Sequence, residues 1–132
     1  MGLMIIDESN YLVEKDKVIE TITNLFIFTD KKNWNKVKDC FIEKVFFDMS
    51  SLGGAASVLS SQQIVDSWNQ GLAPIEAIHH QAGNYKVELN ENGAAAFCYG
   101  VAYHYLKTKS GNNTRTFVGS YDFHLTKINN NC

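Results

Sequence analysis

The chain holds a single proline, Pro74, and only three cysteines, Cys40, Cys98 and Cys132, set far apart and odd in number. No C-x-x-C occurs. A disulfide framework and a structural zinc site therefore lack a ligand pattern, and the thiols read as free in a reducing compartment. Basic runs and stripes are also missing. With a net charge of −2, the electrostatic footprint of a nucleic-acid binder is not there. Apolar stretches stay far short of the roughly 20 residues that cross a bilayer, so no membrane partner is expected. "MGLMIIDESN" opens the chain with no basic segment and no cleavage pattern, which predicts no signal peptide and a cytoplasmic location. Repeats, low-complexity tracts and Pro/Gly/Ser linkers are absent, and one domain over residues 1–132 is the economical reading. The lone Gly-Gly in "SSLGGAAS" (Ser50 to Ser57) has no G-x-G-x-x-G or G-K-[ST] around it, so it predicts a plain loop rather than a phosphate cradle.

What is present is globular. At 132 residues and 45% hydrophobic content the chain can bury a core without staples. Val18, Ile19, Ile22, Leu25, Phe26 and Thr29 recur at helical spacing and predict a helix from about Glu14 to Asp30. Trp34, Val37 and Phe41 form the apolar stripe of a short second helix in "NWNKVKDCF", and "EKVFFDMS" alternates as a strand. Ser60 with Gln63 three residues on is a capping box, opening a helix through about Asn69 with Ile64, Val65 and Trp68 inward. Gly71 is the expected stop, with Pro74 just beyond.

After that the chain is nearly all strand: Ile75 to Asn90, Ala94 to Lys107 and Arg115 to Ile128, joined by the turn signals "NENG" and "KSGNN". Helices first and a long antiparallel meander after predict an α+β fold, with the helices gathered on one face of a curved sheet. The middle strand sets Phe97, Tyr99, Val101, Tyr103 and Tyr105 on one face. The other carries Ala94, Ala96, Cys98, Gly100, Ala102, His104 and Leu106. Both faces are largely apolar, so both are expected to be covered, one by the helices and one by a second copy in a homodimer.

Two of the four histidines stand together in "IHHQAGNYKVEL", at the mouth of the first meander strand. Strict alternation places His79 on the face of Tyr85, Val87 and Leu89, and His80 on the opposite one. A bulge near "QAGN" would reverse that assignment, because one extra residue flips the face.

"FTDKKNWNKVKDCF", "IHHQAGN" and "VGSYDFHLTKI", in that order and spacing, resemble the SnoaL-like branch of the nuclear transport factor 2-like superfamily over nearly the whole chain. The resemblance implies a cone: a strongly curved, mostly antiparallel sheet wrapped around the N-terminal helices, with an apolar pocket inside. It also implies relatives among bile-acid dehydratases, scytalone dehydratase, a dehydrochlorinase and polyketide cyclases. Several of these use an Asp at the end of the first helix and a His at the start of the long strand. By position these are Asp30 and His80, with His79 second. Such a dyad suits proton transfer. An imidazole titrates near 6.5 and accepts a proton, while an ionised Asp fixes its tautomer and stabilises the imidazolium.

The chain departs from the family pattern in two places. Leu25, beside Phe26, stands where a Tyr or Lys often supplies a second polar group. Tyr103, His104, Tyr121 and His124 are the candidates to replace it. Trp34 and Trp68 complete the pocket candidates, although both also read as core. The family pattern ends on a further strand carrying a Trp, whereas this sequence stops at "INNNC", so the domain reads as lacking that strand or as cut before it. The expectation is thus a cofactor-independent dehydratase, isomerase or cyclase acting on a small hydrophobic molecule. The alternative is a non-catalytic ligand-binding or dimeric interaction domain of the same fold.

Overall fold

Helix α1 (Gly2–Asp30) is buried along one stripe, Val18, Ile22, Leu25 and Thr29, spaced four, three and four residues apart. The structure, a computed structural model, describes residues 2–50 and 54–128, with side chains from residue 10 onward. The helix begins about three turns before the position that periodicity indicates, because the apolar run Leu3–Ile6 carries no helical period to read. Its C-terminus closes in a Schellman motif. Asn33 N–H donates to Phe28 O and Lys32 N–H to Thr29 O, both at 2.9 Å. Lys32 supplies the left-handed residue this requires, at φ 54°. Lysine pays for that conformation where glycine would not, and its ammonium in return donates to Ile75 O at 2.6 Å, tying the helix end to the start of the sheet.

Helix α2 (Trp34–Asp39) follows, with Asn33 as its N-cap. Strand β1 (Lys44–Asp48) pairs antiparallel with β2 (Ala56–Ser60). β2 is a correction to the loop read over Ser50 to Ser57: Ala56 and Ser57 are in strand. A run of small and polar residues gives no strand signal, and what holds it is the pairing, Phe46 opposite Val58 and Phe47 opposite Ser57. Residues 51–53 of that loop lie outside the described residues. Helix α3 (Ser61–Leu72) opens on the expected capping box: Gln63 N–H donates to Ser60 Oγ at 3.0 Å and Ser60 N–H to Gln63 Oε1 at 2.8 Å. It runs through Gly71 and ends at Ala73, so Gly71 is not its stop.

Strands β3 (Ala77–Asn90), β4 (Gly93–Tyr105) and β5 (Thr114–Thr126) form an open antiparallel sheet in the order β3-β4-β5. The fold is α+β, as the pattern of helices and strands predicts, with α1 against one face of the sheet. Val18 and Ile22 of α1 meet Val87, Ala94 and Ala96 of the sheet, with Phe26, Phe123 and Leu125 packed around them. Leu25, Val37 and Val65 join the three helices in a second cluster with Trp34, Phe41 and Trp68, and Phe123 touches both clusters. Residues 129–132 of "INNNC", Cys132 among them, lie outside the described ones.

Gly93 marks the tightest strand approach. A Cβ there would stand 1.9 Å from Leu125 O, a backbone atom that cannot step aside. Gly93→Ala is expected to cost about 1–3 kcal/mol through forced backbone shifts, seen in urea denaturation as a lower midpoint at an unchanged slope.

Candidate active site

The last turn of α1 presents Asp30 to the first half of β3. His80 Nδ1–H donates to Asp30 Oδ1 at 2.5 Å, and His80 backbone N–H donates to Asp30 Oδ2 at 2.9 Å. A carboxylate is unfavourable at the negative end of a helix, and these two donors are what compensate it. Charge-assisted hydrogen bonds of this kind contribute about 1.5–3 kcal/mol each. With Nδ1 committed, Nε2 of His80 is left as the basic lone pair. Both side chains stay reachable, His80 at 14% and Asp30 at 17% exposure.

A bulge decides which histidine turns inward. Gly83 pairs with Tyr99 and Lys86 with Phe97, so Asn84 and Tyr85 together oppose Cys98. Asn84 takes up the extra residue at φ 56°, a conformation asparagine tolerates better than most. Parity flips there. Ile78, His80 and Ala82 before the bulge share the helix-facing side with Tyr85, Val87 and Leu89 after it. His79 is exposed on the opposite face, its ring 6.2 Å from that of Tyr103.

The inner face around His80 is aromatic. Phe26 stacks on the His80 ring at 5.2 Å and meets Tyr121 edge-on at the same distance. His104 lies 6.4 Å from His80, ring to ring, and 5.0 Å from Phe117. Tyr121 leans along the strand over Gly100, where a Cβ would come within 2.3 Å of its ring, and this carries the ring one register step nearer the step of His80. Burial, with Cys98 beside it, pushes the Tyr121 phenol above its usual range, so it stays protonated at neutral pH. Burial pushes His104 below the ordinary imidazole value. His80 and Arg115 push the same way, and Asp30 partly opposes them.

Of the residues singled out in the sequence, Asp30, His80, Phe26, His104 and Tyr121 are brought together. Tyr103 and His124 sit exposed on the outer face with His79, and do not join them. Leu25, Trp34 and Trp68 belong to the helical core cluster. Phe117, Phe123 and Arg115 were not singled out. Only the strand register, which sets Phe117 beside Ala102 and Arg115 beside His104, brings them to this face. Among the described residues no group of three or more His, Cys, Asp or Glu could hold a metal ion, and no helix is long and apolar enough to cross a membrane. Cys40 and Cys98 are free.

Residues 10–131 match the SnoaL-like domain, and the chain belongs to that family, within the nuclear transport factor 2-like fold. No curated protein matches the sequence. Among solved structures, the chain is similar to the protein Kfla4162 of Kribbella flavida, with a TM-score of 0.86 at 16% identity over 92% of this chain and 85% of that one. A scytalone-dehydratase-like protein of Novosphingobium aromaticivorans superposes at 0.78, with 12% identity over 94% and 80% of the two chains. The hexachlorocyclohexane dehydrochlorinase of Novosphingobium barchaimii superposes at 0.73, with 10% identity over 93% and 82%. At these identities the likeness is one of fold.

His104 gives a direct test of the electrostatics. Its folded pKa lies below the unfolded value of about 6.5, so between the two the unfolded chain binds more protons. Stability therefore rises with pH through that window and is lost as pH falls. Histidine NMR titration is expected to place His104 below 6.5, and Arg115→Gln to raise it; a His104 value above 6.5 would contradict the arrangement.

Proposed function

We propose that the chain is a cofactor-independent lyase or isomerase that moves a proton on a small, largely apolar substrate, with Asp30 and His80 as the dyad. The observation that carries this reading is the pair of hydrogen bonds from His80 to one carboxylate, which fixes both the tautomer and the ring while leaving the pair accessible. Fold neighbours that include a dehydrochlorinase and a scytalone-dehydratase-like protein agree with such chemistry. The apolar wall would be Phe26, Phe117 and Phe123, over the small residues Ala102 and Gly100 of β4.

In an elimination, His80 Nε2 takes the proton from carbon, the C–H pair becomes the new double bond, and the leaving group departs with the electrons of its own bond. Asp30 stabilises the imidazolium. Tyr121, kept protonated by burial, or neutral His104 donates to the oxygen that gains charge. In an isomerisation the same His80 returns the proton to another carbon. Leu25, where relatives often carry a polar group, is compensated from the sheet rather than from the helix. The free thiols suit a cytoplasmic setting.

The outer face supports a homodimer. Tyr99, Tyr103, Tyr105 and Val118 are exposed there in one patch, Val118 at 79%, and a two-fold axis would cover both copies with one self-complementary surface. Light scattering is expected to give a dimer, and Val118→Asp a monomer; a wild-type monomer at high concentration removes this part.

Asp30→Asn and His80→Gln are each expected to lower turnover by roughly 10²–10⁴-fold, with the double variant no worse than the weaker single one. The assay is deuterium wash-in or alkene absorbance over a panel of apolar β-hydroxy ketones, haloalkanes and aryl-substituted β-hydroxy acids. Turnover that survives His80→Gln unchanged would sink the reading.

A further inference from the structure

The register of the sheet lines up two rows across its inner face. His80, Ala102 and Phe117 form one, and Ile78, His104 and Arg115 the next. Arg115 therefore stands two strands over from His80's strand and one row along, about 10 Å across the sheet by strand spacing. It makes no ion pair or side-chain hydrogen bond among the described residues. A groove of about 420 Å³ opens beside it, bounded by Ile75, His104, Leu106, Asn113, Arg115 and Thr116. That volume suits a small ligand.

The far wall of this groove is already built. Leu106 N–H donates to Asn113 O at 2.9 Å and Thr108 N–H to Asn113 Oδ1 at 2.8 Å, so the turn needs no ligand to order it. Of the carboxylates near this end, Asp30 is held by His80, and Glu76 accepts from Lys107 N–H at 3.2 Å. The Lys32 ammonium gives one of its three N–H groups to Ile75 O, on the groove's rim. One guanidinium is thus left uncommitted, next to a histidine that touches the dyad, at the polar end of an aromatic wall.

We propose that Arg115 binds the carboxylate of the substrate, so that the substrate class is aromatic or polycyclic monocarboxylates, ring system on Phe117 and Ala102 and charged end in this groove. The assignment of the ligand as a substrate rests on the proposed Asp30–His80 chemistry; the anion site itself does not. A planar fork matches a carboxylate in two parallel hydrogen bonds. The anion would also relieve His104. In the free protein burial disfavours the protonated form of His104, His80 (β3) and Arg115 (β5) act the same way, and Asp30 (α1) partly opposes them.

The probes are 2-naphthoate and its neutral isostere 2-naphthamide, titrated into the full chain by NMR with shifts followed at Arg115, His104 and Phe117. Wild type is expected to bind naphthoate on the order of tenfold more tightly than naphthamide, with the preference fading as salt rises. Arg115→Gln is expected to abolish the preference without loss of fold, and Arg115→Lys to restore part of it. Equal affinity for the two probes, a preference that survives Arg115→Gln, or no binding of naphthoate up to its solubility limit would each overturn the proposal. The dyad is judged separately. If naphthoate selects Arg115 while turnover ignores His80→Gln, the anion site stands and the proposed chemistry falls. If His80→Gln abolishes turnover while the probes bind alike, the reverse holds.

Discussion

One carboxylate joins the two halves of this molecule. Asp30 ends the long helix, and its two oxygens take the two N–H groups of His80, one from the ring and one from the backbone. The side-chain bond sets the tautomer. The backbone bond sets the height of β3 against the helix end, and so the position of everything on its inner face. Much of the local chain geometry converges on that point. A left-handed lysine closes the helix and reaches over to Ile75, and a left-handed asparagine bulges the strand. Residues in rarely used backbone conformations on both sides of one contact are what a positioned site looks like, since local stability alone would favour glycine at such places.

The middle strand has the complementary role of being small. Ala94, Ala96, Cys98, Gly100 and Ala102 face the helix and are buried. Their size lets α1 sit close to the sheet. Large side chains come from the flanking elements: Phe26 from the helix, Tyr121 and Phe123 from β5. A Cβ on Gly100 would displace Tyr121, so one missing methyl sets where a phenol stands relative to Asp30 and His80. The opposite side of the same strand is aromatic and exposed. The strand is thus two-faced in size as well as in exposure.

Much of this was legible in the residues. The stripe Val18–Ile22–Leu25–Thr29, the capping box at Ser60 and Gln63, and the three meander strands all follow from period and punctuation. The pairing of Asp30 with His80 did not follow from period at all. Alternation alone favours His79, and only a bulge absorbing Asn84 turns His80 inward, because a single unpaired residue leaves almost no trace in composition. β2 escaped for a related reason: a short run of one alanine, two serines, one valine and one leucine is a strand only because β1 lies beside it. Arg115 and Phe117 could not be seen as neighbours of His80 from 35 and 37 positions away. Their nearness is a product of register, a tertiary property.

The bulge in β3 has a consequence for how this sheet can vary. It cuts one strand into two lengths with opposite parity. The length before it carries His80, which meets Asp30; the length after it carries Val87 and Leu89, which hold the helix. Because Asn84 absorbs the offset between them, side chains on the length before the bulge can be exchanged without disturbing the register of the length that holds the helix. Changes in number are another matter: one residue gained or lost at this position would turn an entire half of the strand inside out. Such a sheet can change the face around His80 by substitution, while insertions and deletions at that joint are closed to it.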